Sequence, residues 1–600
     1  MHAWQGRKFD TCCGPRFLRA RSTPAAGALT PQNVEAISRM LIAAFSHHQA
    51  GRLDDAERLY RQILMRNPTH PDALHLMAII MRARGEPTLA VEYAERAIIA
   101  KPRFAEAKNT LGVALKELGR VTSALQEFEK ALQINPTYVE AWYNAANSLQ
   151  MLGLPTAAAK YYRRAVSISP EFKDARGNLL MAMNYSPDFT PEEVFAAHRE
   201  FAPLVRPEIT HQNTPKPDRR LKIGYVSPDF RRHPVAYFFE PILRCHQRSL
   251  FEVYCYDSNG LADEMTGKIR SQADHWRDIA GVTATHAAEL VAADQIDVLI
   301  DLANYSRGNR LDVFARKPAP IQATWLGIPQ TTGLSSVDYR ITDELRDPVG
   351  LTESIHTEEL LRLPGSDIAF DADPTWPPIN ALPASANGYI TFASFNNLSK
   401  VNPTVISVWA QILLVTPGAR LLIAASGDGN DEISTAVRAR FSSLGIGYER
   451  LTFVGRQNLD AFLRLHHQVD VALDPFPCTG VTTTLHSLWM GVPVITLAGD
   501  APISRGGAGI LGRLELDELV AHTQGQYIAI AARVAKDHKY LAALRHSLRD
   551  RIAASTFSDP KTVTHNLESA YRQIWQRWCV AAKQAAAPNR KMPDGVGRTA

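Results

Sequence analysis

The chain has 600 residues, with 66 Lys and Arg against 61 Asp and Glu and a net charge of +5 at pH 7. One hydrophobic core does not grow to that length, so three or four domains are expected. The weak charge, without a sustained Lys/Arg run, argues against nucleic-acid binding, and no apolar run reaches the roughly 18 residues of a membrane span.

Residues 1–36 are basic and rich in small residues but lack the apolar centre of a signal peptide, so a disordered leader is expected. The six cysteines, Cys12, Cys13, Cys245, Cys255, Cys478 and Cys579, follow neither a metal-ligand nor a disulfide spacing, which points to a reducing cytoplasm.

A repeat follows. Gly51, Gly85, Gly119 and Gly153 stand 34 residues apart, as do Pro68, Pro102, Pro136 and Pro170, and Ala56, Ala90, Ala124 and Ala158. A glycine allows a sharp turn between two helices, small alanines let the helices approach, and the proline ends the second helix. This is the tetratricopeptide (TPR) pattern, and it predicts an α-solenoid of four repeats over 37–172. A fifth unit, KDARGNLLMAMNY, loses its Gly and Pro, so 173–218 reads as a partial repeat and linker. Such an array offers a groove for a protein partner, or else serves as a scaffold or oligomerisation arm. Asn144 and Asn178 share one repeat position and are candidates to clamp an extended acceptor peptide, although Thr110 and Leu76 occupy the equivalent earlier positions.

Strand-like and helix-like segments then alternate. LKIGYVS, FEVYCYD, IDVLIDLA and IQATWLG read as strands of one Rossmann-like domain over 219–385. YITFASF, ARLLIAA, RLTFVG, VDVALDPF and PVITLAG read as strands of a second over 386–580, with a disordered tail at 581–600. Ligands of such sheets sit beyond the carboxyl ends of the strands. Neither first strand is followed by a full dinucleotide fingerprint, and no Walker loop occurs, which disfavours a dehydrogenase or kinase.

After the strand ending at Leu473, the loop DPFPCTG leads into Gly480, Val481, Thr482, Thr483 and Thr484 at the start of a helix. Free N–H groups, a glycine and three hydroxyls suit a diphosphate, although threonines also serve as ordinary helix caps. Lys400, in FNNLSK after the first strand of the same domain, can neutralise a leaving diphosphate. His233, after the first strand of the preceding domain, is a candidate base or acceptor-orienting group; an ordinary loop histidine is the other reading. No metal-ligand motif stands in these segments.

GYVSPDFRRHPVAYF, LANYSRGNRLDVFARKPAPIQATWLGIPQTTG, VDYRITD, TFASFNNLSKVNPTVISVWAQIL, ALDPFPCTGVTTT and LWMGVPVITLAG together resemble the protein O-GlcNAc transferase and SPINDLY family. That resemblance implies a TPR superhelix joined to a GT-B fold of two Rossmann-like domains. It also implies inverting, metal-independent transfer of a sugar, GlcNAc from UDP-GlcNAc, to Ser/Thr of acceptor proteins. No cofactor is implied beyond that co-substrate, and no nucleic acid or membrane partner; a homo-oligomer is compatible. By position the resemblance gives Lys400 the diphosphate, Asn397 and Gly480–Thr484 the nucleotide and phosphates, His233 the acceptor, and Tyr305 a place among the catalytic residues. Asn304 precedes Tyr305 where the family has Gly, and Phe462, Val481 and His486 also depart from it. These departures leave two alternatives open: GDP-fucose as donor, as in plant members of the SPINDLY branch, or a decayed cleft behind a working TPR array.

Overall fold

A computed structural model describes residues 30–202, 209–424, 429 and 431–586. The chain divides into two compact units, 1–175 with 430–437, and 176–429 with 438–600.

The first unit holds helical pairs: α1 (Pro31–Gln49) and α2 (Leu53–Arg66), α3 (Pro71–Ala83) and α4 (Pro87–Ala100), α5 (Ala105–Glu117) and α6 (Val121–Ile134), α7 (Val139–Met151) and α8 (Pro155–Ile168). The turn glycines Gly51, Gly85, Gly119 and Gly153 have φ of 73°, 79°, 76° and 69°, in the left-handed region that a side chain disfavours. Ala56, Ala90, Ala124 and Ala158 are fully buried between helices. Helix α1 begins six residues before the expected first repeat. Thr30 accepts a hydrogen bond from Asn33 N (3.3 Å) and Pro31 opens the first turn, so 31–36 belong to the array and not to a leader. Residues 1–29 of the expected leader lie outside the described residues.

Helix α9 (Lys173–Tyr185) carries the partial repeat. The expected linker contains a further helix, α10 (Pro191–Phe201), whose Thr190 and Glu193 cap each other's backbone in a capping box. In the second unit α10 meets the first sheet's loops. His198 packs edge-on against Tyr305 (5.3 Å), and a Cβ on Gly333 would lie 2.5 Å from His198 O.

The first sheet is built from β1 (Leu221–Ser227), α11 (Pro234–Cys245), β2 (Phe251–Asp257), α12 (Glu264–Gln272), β3 (His275–Asp278), α13 (Ala284–Ala293), β4 (Val298–Asp301), α14 (Leu311–Phe314), β5 (Ile321–Thr324), β6 (Tyr339–Asp343) and β7 (Glu359–Leu363). The second uses α15 (Pro383–Asn387), β8 (Thr391–Ser394), α16 (Pro403–Val415), β9 (Arg420–Ala424), α17 (Glu432–Ser443), β10 (Leu451–Val454), α18 (Leu459–Leu465), β11 (Val471–Leu473), α19 (Thr482–Trp489), β12 (Val494–Leu497), α20 (Gly506–Arg513), β13 (Val520–Ala521), α21 (Gln524–Lys536) and α22 (His538–Ala553), and α23 (Pro560–Ala586) follows them in the chain.

All pairings are parallel, in the orders β3-β2-β1-β4-β5-β6-β7 and β10-β9-β8-β11-β12-β13. The order reverses between β1 and β4 and between β8 and β11, which opens a crevice beyond the strand ends at each place. Strands β3, β6, β7 and β13 escape the sequence pattern because each is short and lacks a continuous apolar run, and all but β6 stand at a sheet edge.

The last helix departs from chain order. Val563, Leu567, Tyr571, Ile574 and Trp575 of α23 are buried in the core of the first sheet, with Tyr225 and Phe239. Tyr571 OH and Tyr225 OH are 3.2 Å apart, and Trp575 Nε1 donates to Lys216 O (3.0 Å). Residues 560–580, expected in the second domain, thus complete the first. The same amphipathic helix runs on through Ala586, so 581–586 of the expected tail are helical, and 587–600 lie outside the described residues.

Candidate functional site

Strand β8 ends into Phe395, Asn396 and Asn397, and a single 3-10 turn then places Lys400. The half-buried Lys400 ammonium donates to Asn396 Oδ1 (3.2 Å) and Thr479 O (2.9 Å). It is thereby fixed beside the loop that leads into α19. Thr483 Oγ1 donates to the same Asn396 oxygen (3.3 Å). No side chain caps the start of α19, where Val481 stands as N-cap, so Thr482, Thr483 and Thr484 open the helix with their N–H groups forward. Thr484 Oγ1 is buried without a hydrogen-bond partner beside a cavity of about 10 Å³ lined also by Asn396, Asp474 and Ser487, which is room for about one water.

Lys400, Gly480, Thr483 and Thr484 are therefore brought together. Asn397 is not: it is exposed, and its side chain accepts from Ser399 N (3.0 Å) as a local cap. Its neighbour Asn396 makes the contact with Lys400.

Beneath this cluster lies Asp474, 1% exposed. Its Oδ1 accepts from Gly480 N (2.8 Å) and Asn396 Nδ2 (3.2 Å), and its Oδ2 from Thr496 Oγ1 (2.9 Å). Burial pushes its carboxyl up to about 6 against the pull of Lys400. A Cβ on Gly480 would stand 2.4 Å from Thr483 Oγ1 and 3.1 Å from Asp474 Oδ1, so only glycine fits the turn.

An aromatic wall flanks α19. His486 packs edge-on to Trp376 (5.3 Å) and Phe462 (5.8 Å), and His466 stacks on Phe395 (3.9 Å). Burial holds His486 down at about 4 and His466 at about 3, so both rings are neutral at pH 7. Phe462 and His486, two of the departures noted in sequence, touch each other.

On the first sheet, His233 caps α11, accepting from Val235 N (3.3 Å), and lies 3.5 Å from Asp229 Oδ2. Burial lowers its basicity while Asp229 partly restores it. Among the described residues no hydrogen bond or ion pair joins His233 to Lys400. Tyr305 is committed elsewhere: its hydroxyl donates to Thr332 O (3.0 Å), and burial raises its pKa. It shapes the loop after β4 and presents no free hydroxyl. Asn144 Nδ2 donates to Asn109 Oδ1 (3.0 Å) within the array, and Asn178 is half-buried on α9. Among the described residues, no group of three or more His, Cys, Asp and Glu is placed to hold a metal ion, and no helix is long and apolar enough to cross a membrane.

Sequence reasoning missed Asn396, Asp474 and Thr496. The signal was internal: Ile296–Asp301 reads IDVLID and Val469–Asp474 reads VDVALD. Aligning the two halves on that pattern marks both terminal aspartates.

Tetratricopeptide-repeat models match residues 47–114, 112–153 and 139–172, and the glycosyl transferase family 41 model matches 202–371 and 380–567. The chain is 39% identical over 416 residues to a rice (Oryza sativa subsp. japonica) protein named "Probable UDP-N-acetylglucosamine--peptide N-acetylglucosaminyltransferase SPINDLY", covering 68% of this chain and 45% of that one. It is 37% identical to the Petunia hybrida protein of the same name, covering 68% and 44%. It thus spans less than half the length of these curated relatives. A solved mutant O-GlcNAc transferase of Thermobaculum terrenum superposes with a TM-score of 0.76 at 34% identity, over 85% of this chain and 98% of that one. The TPR array, the two parallel sheets and the matched span agree: this chain belongs to glycosyl transferase family 41.

Proposed function

We propose that the chain is an inverting, metal-independent protein O-glycosyltransferase that moves GlcNAc from UDP-GlcNAc to Ser/Thr of acceptor proteins. The observation that carries this reading is Lys400, held by Asn396 and Thr479 against the uncapped start of α19. A helix N-terminus and one cation suit a diphosphate that gains charge as the sugar departs. They supply the positive charge a divalent ion would otherwise bring. His233 takes the acceptor side, where it receives or orients the hydroxyl proton. The names of the relatives and of the solved neighbour support the donor. GDP-fucose is the second reading, because His486 and Phe462, both departures from the family pattern, stand together in the aromatic wall beside α19.

The test is a donor panel. Full-length protein is incubated with radiolabelled UDP-GlcNAc or GDP-fucose and a Ser/Thr-rich protein acceptor, with and without EDTA. Label transfer from UDP-GlcNAc that survives EDTA is expected. Transfer from GDP-fucose alone reassigns the donor, transfer restored only by Mn²⁺ or Mg²⁺ removes metal independence, and no transfer from any nucleotide sugar removes the enzyme assignment. Recruitment of acceptors by the TPR array predicts that Asn144→Ala with Asn178→Ala weakens protein modification while sparing donor hydrolysis.

A further inference from the structure

Asp474 has no part in the roles assigned above, yet the donor loop is built on it. It follows the last residue of β11, and three donors from three segments converge on its carboxylate: Gly480 N, Asn396 Nδ2 and Thr496 Oγ1. Its backbone carbonyl accepts from Tyr527 OH (2.9 Å) of α21. Because Asn396 gives its N–H to the carboxylate, its carbonyl must face Lys400 and Thr483; the flipped amide would set an NH₂ against an ammonium. Gly507 closes the other side, where a Cβ would stand 2.7 Å from Asp474 Oδ2.

We propose that Asp474 is the positioning residue of the diphosphate pocket and that it takes up one proton when a nucleoside-diphosphate sugar binds. This rests on the reading that Lys400 and the start of α19 receive the diphosphate. The titratable groups facing the Asp474 side chain and loop are Lys400 on the 3-10 turn, Cys478 within the loop and Tyr527 on α21, and Lys400 is the cation among them. The Lys400 ammonium is shared between Asn396 and Thr479, one hydrogen bond from Asp474. A bound diphosphate draws that ammonium away and adds two negative charges nearby. Both changes favour the neutral carboxyl, and burial has already brought it to about 6. The proton comes from solvent and forms an O–H bond at Oδ2; no bond of the donor changes. Thr496 is the one of the three partners whose group both donates and accepts, so its hydroxyl rotor reverses to receive the new proton. Gly480 N and Asn396 Nδ2 keep donating to Oδ1.

Calorimetric titration of the full chain at pH 7, in non-phosphate buffers of different ionisation enthalpy, counts the protons. The ligand is whichever of UDP-GlcNAc and GDP-fucose the donor panel selects; neither diphosphodiester titrates between pH 5 and 9. Wild type is expected to take up about 0.5–1 proton and to lose affinity as pH rises from 6 to 8, by up to tenfold per pH unit. Asp474→Asn is expected to take up less than about 0.2 and to lose that pH dependence. If that variant does not fold, Thr496→Val serves: it removes the hydroxyl that holds the Asp474 pKa down and that would receive the new proton, so the count is expected to fall below the wild-type value. A wild-type count of zero, or a variant count equal to wild type, overturns the proposal. Lys400→Ala with undiminished donor affinity overturns the pocket assignment and this proposal together, whereas a Lys400-dependent affinity with a zero count overturns this proposal alone.

Discussion

The two sheets of the second unit carry one device in two settings. In the first, Asp297 accepts from Lys222 N (2.9 Å) at the foot of β1, and Asp301 at the head of β4 accepts from Thr324 Oγ1 (2.8 Å) of β5. In the second, Asp470 accepts from Thr391 N (2.8 Å) at the foot of β8, and Asp474 beyond the head of β11 accepts from Thr496 Oγ1 of β12. Burial pushes both head aspartates up to about 6. Their remaining bonds differ. Asp301 ties down its own loop through Ala303 N (3.1 Å) and Asn304 N (2.8 Å), closing a tight turn with Asn304 at φ 53°. Asp474 reaches six residues ahead to Gly480 and sideways to Asn396, which leaves the space above it to a lysine and an uncapped helix. A recurring strand–loop unit becomes a turn lock when its carboxylate is satisfied locally, and the floor of the proposed diphosphate pocket when it is satisfied at a distance.

The largest expected effect separates the two settings. Lys400→Ala should lower kcat about 1,000-fold, roughly 4 kcal/mol of transition-state stabilisation, while leaving the melting temperature within a few degrees. Single-turnover transfer assays with a scan of each protein check this. A loss below tenfold would mean that the second sheet's cluster is as structural as the first's.

The next effect treats the two aspartates alike. Each carboxyl sits near 6 in the fold against an ordinary 3.8, so the neutral form is favoured in the folded state. The stabilisation is complete below about pH 4 and is lost as pH rises through 6, up to roughly 3 kcal/mol per group. Asp301→Asn and Asp474→Asn should each flatten the acid side of the stability profile in calorimetric scans from pH 4 to 8. A variant that keeps the wild-type slope between pH 4 and 6 breaks the equivalence of the pair.

The smallest effect lies where the halves meet. Arg513 of α20 pairs with Asp343 (2.6 Å), and Arg346 with Asp367 (2.9 Å). Burial and the facing Asp343 push Asp367 up to about 7, whereas Arg513 and Arg346 outweigh burial at Asp343 and hold it well below the usual carboxylate range. Asp367→Asn imitates the protonated acid, its amide donating to Asp343 and accepting from Arg346. Stability should therefore change by less than about 1 kcal/mol below pH 7 and rise modestly above it, where the wild-type acid ionises. A loss of more than about 2 kcal/mol at pH 6 would show that the two carboxyls share no proton.

Much of this architecture is legible in the sequence where periodicity is enforced by packing. The 34-residue register survives because all four glycines take a positive φ between paired helices and all four alanines are fully buried. The central strands are legible for the same reason, being apolar on both faces. The candidate site is legible where chemistry is exposed on a loop, as at Lys400 and the Thr482–Thr484 run. It is not legible where a polar group works from beneath: Asp474 reads as one more strand-end acid, and Asn396 is indistinguishable from Asn397 until β8 turns one inward and the other to solvent. The α23 helix is visible as a helix, but nothing in its own pattern says which sheet it covers.

That helix has a consequence for how the protein comes into being. The first sheet's last strand leaves the ribosome with its core still open, because Tyr571 and Trp575 have not yet been made. Roughly 200 residues, or on the order of 10–40 s of synthesis, separate β7 from α23. By the end of that interval the second sheet has everything it needs to close, while the first still presents an apolar face to the cell. The half encoded earlier is thus finished later, and a nascent chain stalled before Pro560 exposes the surface that chaperones hold.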